Sequence, residues 1–261
     1  MSPGPWTRRR RAVQALCALL WLALPFLADP RLAGTAVALR VGPLELLEPA
    51  AALSAALGAG ALPAALALGM LPMAALAVAL GPVACSWACP YGLLSEGLDA
   101  LRRRGARWPA PGAAGARRPR LATLAALLGL SALLGTPLAA VLSPPRLVSI
   151  LPLEAWSSRA VPWATGGLLA LLLALELLAP RRFVCRGLCP ARAVTALLRR
   201  PFTWAPRFAP GRCRCPDAPP CAEACPWGLD PRERASVDAG CTSCMACVDR
   251  CPSGALVALR R

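Results

Sequence analysis

The chain has no histidine and no lysine, and a single tyrosine. Without imidazole, bis-histidine haem ligation is excluded, and the sequence argues against a histidine-bound quinone or copper centre. No glycine-rich dinucleotide fingerprint follows a strand-like run, so machinery for NAD or flavin is not visible. Acidic residues are scarce, 13 against 29 basic ones, and every basic residue is an arginine, which leaves a net charge of +16. Such an excess suggests nucleic acid as a partner, but the arginines sit between apolar blocks, and their placement needs no nucleic acid to explain it.

Hydrophobic residues make up 57% of the sequence. They come in continuous runs, where an amphipathic helix would show a polar face. Four runs, Ala12–Ala28, Leu62–Leu80, Leu121–Leu142 and Val161–Ala179, match the roughly 17–25 residues a spanning helix takes. They predict a mostly α protein: a four-helix transmembrane bundle of two hairpins over residues 1–200, with a small ferredoxin-like α+β domain over 201–261. Twenty-five arginines fall in alternate loops and only four in the others. By the positive-inside rule this puts both termini in the cytoplasm of a multi-pass protein of the bacterial inner (cytoplasmic) membrane. The first run reads as a retained anchor, since the exit Phe26-Leu-Ala-Asp-Pro30 is a weak cleavage site. Val37–Leu57 reads as an interfacial helix or a packed loop, and Arg102–Arg120 as a flexible linker.

Thirteen cysteines carry the chemistry. Cys241-x2-Cys244-x2-Cys247-x3-Cys251-Pro252 is the spacing that wraps three thiolates around one iron–sulfur cube and sends the fourth to a second. Upstream, Cys213, Cys215, Cys221 and Cys225-Pro226 form an irregular version of the same run. Crossed ligation assigns Cys225, Cys241, Cys244 and Cys247 to one [4Fe–4S] cluster, and Cys213, Cys215, Cys221 and Cys251 to another, [4Fe–4S] or [3Fe–4S]. The alternatives are paired zinc knuckles, in which an unbroken four-cysteine run has no use, and disulfides, disfavoured in a reducing compartment. Two further elements, Cys85-Ser-Trp-Ala-Cys89-Pro90 and Cys185-Arg-Gly-Leu-Cys189-Pro190, stand 100 residues apart, each after an apolar run, and suggest an internal duplication. Their four thiols are candidates for a further cluster, a metal or a redox-active thiol pair, against the plainer reading that the prolines merely end helices. Cys17 reads as a small apolar filler. Glu176, the one acid well inside a predicted span, reads as an ion-pair partner of Arg181 or Arg182 before a proton or quinol contact.

CSWACP followed by GLDALRRR, then FVCRGLCP and CTSCMACVDRCP, resemble the NapH/MauN-type family of membrane ferredoxin-type proteins over nearly the whole chain. The resemblance implies electron transfer from membrane quinol, fed by the quinone pool, to a periplasmic ferredoxin-like or cytochrome partner. It also implies that the eight tail cysteines are cluster ligands. The segment Cys213-x-Cys215-x5-Cys221 departs from the family's regular run. Two other functions fit the residues: a cytoplasm-fed copper reductase or assembly factor for a respiratory metalloenzyme, and a redox sensor or anchor with structural clusters.

Overall fold

The structure, a computed structural model, describes residues 4–26, 31–102, 117–179, 182–199, 203–215 and 220–259. Most of the expected linker and of the expected cleavage exit lies outside them. Helix α1 (Pro5–Ala23) opens the chain. A three-stranded antiparallel sheet follows, β1 (Leu32–Thr35), β2 (Ala38–Val41) and β3 (Leu44–Leu47). The segment expected as an interfacial helix or loop is thus two strands and the helix α2 (Pro49–Ala59). Gly42, at φ 62°, turns the chain between β2 and β3, and the register sets Arg40 opposite Glu45 as a cross-strand ion pair. Glu48 then caps α2, accepting from the backbone N–H groups of Ala50 and Ala51 at 3.0 and 2.9 Å, with Pro49 in the first turn.

The chain continues through α3 (Ala64–Leu80), the single turn α4 (Ala84–Trp87) and α5 (Pro90–Arg102). It then runs through α6 (Arg117–Leu134), the turn α7 (Leu138–Val141), α8 (Pro144–Ser158) and α9 (Trp163–Leu178). A π-turn over Val184–Leu188 leads into α10 (Pro190–Leu197). Two cores hold these together. One joins α2, α6 and α10 through Ala50, Leu124, Ala193 and Val194. The other joins α5, α8, α9 and the π-turn through Tyr91, Leu147, Leu169 and Val184.

Among the described residues, no helix is long and apolar enough to cross a membrane. The two most apolar long helices, α3 and α9, have 17 and 16 residues, and α9 carries Glu176. At 1.5 Å per residue these rise only about 24–26 Å, against a hydrocarbon core of about 30 Å. Helix α1 carries Arg8–Arg11 in its first half, and α6 opens on Arg117, Arg118 and Arg120. The run expected as the third span also breaks at Gly135-Thr136-Pro137, where Gly135 has φ 64°. The expected four-span bundle and the multi-pass inner-membrane placement are therefore overturned. The cytoplasmic assignment of the termini, built on those spans, falls with them. The chain is mostly helical with two small sheets. Several apolar side chains on the outer helix faces, such as Leu68, Leu133, Trp163 and Leu178, remain exposed.

Candidate metal centres

The tail closes through its ends. Strand β4 (Ala205–Phe208) pairs antiparallel with β5 (Leu256–Leu259), and between them stand the short helices α11 (Pro220–Glu223), α12 (Arg234–Gly240) and α13 (Ala246–Asp249). The cysteine loop 241–247 is coiled tightly, with both Ser243 (φ 53°) and Met245 (φ 58°) in the left-handed region. This coil turns Cys241, Cys244 and Cys247 inward. Cys225 completes them: all four line one small cavity of about 20 Å³, walled by Pro206, Trp227, Leu229, Pro231, Val237 and Met245. Backbone N–H groups aim at the sulfurs, Ser243 at Cys241 Sγ (3.3 Å) and Leu229 at Cys225 Sγ (3.4 Å). Burial, with the charges of Cys225 and Cys241, pushes the Cys244 thiol up to about 12. An apolar cavity with four thiols at its wall suits a group that supplies its own cations and takes thiolates, so this donor set fits a [4Fe–4S] cluster.

The other tail set is also gathered. The Cys213 thiol acts on that of Cys215, and the charge of Cys251 acts on both Cys215 and Cys221. Although burial raises it, Cys251 is held below the ordinary thiol value by N–H donors, with Leu256 N at 3.4 Å from its sulfur, and by the Ser253 hydroxyl. Cys221 and Cys247 pack in one small core with Leu256. The two sets therefore adjoin, and Cys251 faces the upstream cysteines.

The paired C-x3-C-P elements sit at the base of the tail. Cys85 lies in α4, Cys89 just ahead of α5, Cys185 in the π-turn, and Cys189 caps α10. Cys89 and Cys185 pack against one core, and the charge of Cys85 acts on Cys89 and Cys189, so two thiols from each C-x3-C-P element converge. All thirteen cysteines are free of disulfides. Cys17, on α1, stands apart from these sets.

A layer that sequence reasoning missed joins this base to the tail. Ser86 and Thr242 share a buried hydrogen bond, and Trp87 Nε1 donates to Ser243 O (3.0 Å). Arg192 donates to Gly240 O (2.8 Å) and stacks 3.5 Å above the Trp227 ring. Arg186 donates to Trp227 O (2.8 Å). The signal was present in the motifs themselves, since Ser86 and Trp87 stand inside CSWACP and Trp227 follows Cys225-Pro226. Glu176 is buried, accepting from the Ser95 hydroxyl and from Val184 N (2.8 Å), so it caps the π-turn, and the charge of Arg182 also acts on it. Arg182 pairs with Asp99 at 3.1 Å, and Arg181 lies outside the described residues.

A family model described as a 4Fe-4S binding domain matches residues 62–109 and, again, 161–209. The match supports an iron–sulfur protein of the ferredoxin type. The two matches start 99 and end 100 residues apart, the interval that separates the C-x3-C-P elements. Two such segments are compatible with two [4Fe–4S] clusters. Neither a curated protein nor a solved structure matches the chain. Both matched segments of the chain end before the first tail cysteine, Cys213. Among its described residues, no three cysteine, aspartate or glutamate side chains close around a single metal ion.

Proposed function

We propose that the protein moves single electrons through two [4Fe–4S] clusters held by its C-terminal cysteines, taking them from a quinol and delivering them to a separate redox protein. A [4Fe–4S] cluster supplies reversible one-electron transfer. The observation that carries the reading is the cavity lined by Cys225, Cys241, Cys244 and Cys247. Cys213, Cys215, Cys221 and Cys251 are the ligands of the neighbouring cluster in this reading, and the adjacency of the two sets at Cys221 and Cys247 supports exchange between them. The chain's own contribution is electrostatic. N–H donors to Cys225, Cys241 and Cys251 stabilise thiolates and raise the potential, while Trp227, Leu229 and Met245 exclude water and lower it. The quinol donor and the protein acceptor are supported by the motif resemblance.

The test is an anaerobic titration of the full chain with a short-chain quinol analogue, followed by EPR beside a dithionite-reduced sample. A reduced-cluster signal with quinol alone is the expected result. A signal with dithionite only would leave the clusters in place and remove quinol as the donor.

A further inference from the structure

The four C-x3-C-P thiols are unused in the reading above. Each repeat supplies two, and a cube takes four. Each matched segment thus brings half of one cube's thiolates, and the fold packs Cys89 of one and Cys185 of the other against the same core, with the charge of Cys85 acting on both Cys89 and Cys189.

The surroundings are built for an anion larger than four neutral thiols. Cys89 and Cys189 each lead directly into a helix with proline in its first turn, α5 of 13 residues and α10 of 8. Both helix N-termini thus place partial positive charge at the thiols. Gly92 N–H donates to Cys89 Sγ at 3.4 Å. A side chain at Gly92 is blocked, because its Cβ would stand 2.5 Å from Cys85 O, and so α5 can press against the Cys85 turn. Arg192 is only 3% exposed, and the charges acting on it include Cys85, Cys185 and Cys189. Its Nε and Nη1 have no hydrogen-bond partner. A buried guanidinium with two unpaired donors is costly unless an anion stands beside it. Inorganic sulfides and thiolates of a cube, which together carry net negative charge, are such acceptors.

We propose that Cys85, Cys89, Cys185 and Cys189 jointly hold a third [4Fe–4S] cluster at the seam between the two repeats, with Arg192 compensating its charge. The proposal rests on the iron–sulfur reading of the tail, and its test separates the two. Full-length chain is assembled anaerobically with iron and sulfide, and iron, acid-labile sulfide, zinc and copper are counted per chain. Wild type is expected to hold about twelve irons and twelve sulfides, at four per cube. Cys85→Ala/Cys185→Ala should fall to about eight with the tail EPR signals unchanged, and Cys241→Ala/Cys244→Ala should also lose about four. About eight irons in wild type, or one zinc or copper per chain lost with the paired cysteines, would overturn the proposal. Iron lost from the paired variant but not from the tail variant would instead defeat the tail reading and leave this one standing. Should the paired variant fail to fold, the wild-type count decides alone.

Discussion

Replacing Glu96 by glutamine keeps the shape of a buried ion pair and removes its negative charge. Arg10, on α1, is 4% exposed and meets Glu96 of α5 through two bonds of 2.5 Å. Arg182 approaches the same carboxylate at 3.9 Å but has its own partner in Asp99. Removing one member of a buried pair costs about 3–5 kcal/mol, because the remaining charge is stranded. The Glu96 side chain is 19% exposed, so water softens the loss and the lower end, about 3 kcal/mol, is the expected value. For a chain of this size that is roughly 6–12 °C in the melting midpoint, at about 2–4 °C per kcal/mol. Differential scanning calorimetry of the anaerobic, cluster-loaded chain measures it. The double variant Arg10→Met/Glu96→Leu, which buries no lone charge, should regain most of the loss. A drop under about 1 kcal/mol in the single variant, or a double variant worse than the single, would mean the pair is screened like a surface bridge and the argument is wrong.

The same pair sets an acid limit. Although burial raises it, the Arg10 hydrogen bonds and the charges of Arg10 and Arg182 hold the Glu96 carboxyl below its ordinary value. A depressed carboxyl contributes stability above its unfolded value, near about 4.3, and loses it as pH falls through the folded value. The stability gap between wild type and Glu96→Gln, followed by denaturant melts from neutral pH downward, should narrow below about pH 4; a constant gap would contradict it. Gly92→Ala forces a methyl into Cys85 O and should displace the Cys85–Cys89 turn, costing on the order of 1–3 kcal/mol. Its check is thiol labelling of the iron-free chain, where the variant's paired cysteines should react faster. Thr242→Val should cost about 1–3 kcal/mol by leaving the Ser86 hydroxyl buried without its partner, and adding Ser86→Ala should recover most of it in the same melts. Stripping iron with a chelator should raise hydrogen exchange over α11–α13 and β4–β5, whose short elements have little core beyond the cysteines, while α5, α8 and α9 stay protected.

The grouping of the tail cysteines was legible because their spacing is local. Cys241, Cys244 and Cys247 stand within seven residues and line one cavity, while the charge of Cys251, four residues past Cys247, acts on Cys221. The 100-residue repeat of the C-x3-C-P elements was legible for the same reason. Helix length was not, because counting apolar residues ignores where the chain turns. Gly135-Thr136-Pro137 ends α6, and arginines occupy the first turns of α1 and α6, so runs of spanning length became shorter helices. The strands β2 and β3 fell inside the stretch Val37–Leu57, expected as an interfacial helix or a packed loop. Gly42-Pro43 between them was the turn signal, and Arg40 and Glu45 face each other across it. Arg192 could not be singled out among 29 arginines, since its role depends on α10 packing beneath Trp227, a contact between residues 35 positions apart.

The most direct test of the central claim is the EPR spectrum of the dithionite-reduced full chain, compared with Cys251→Ser. The two tail sets adjoin at Cys221 and Cys247, so the account predicts a spectrum broadened by interaction between two reduced clusters. Cys251→Ser should perturb the cluster of Cys213, Cys215 and Cys221 and remove its share of the broadening from the signal of its neighbour. A single non-interacting signal in wild type, or loss of the Cys225, Cys241, Cys244 and Cys247 cluster in the variant, would contradict it.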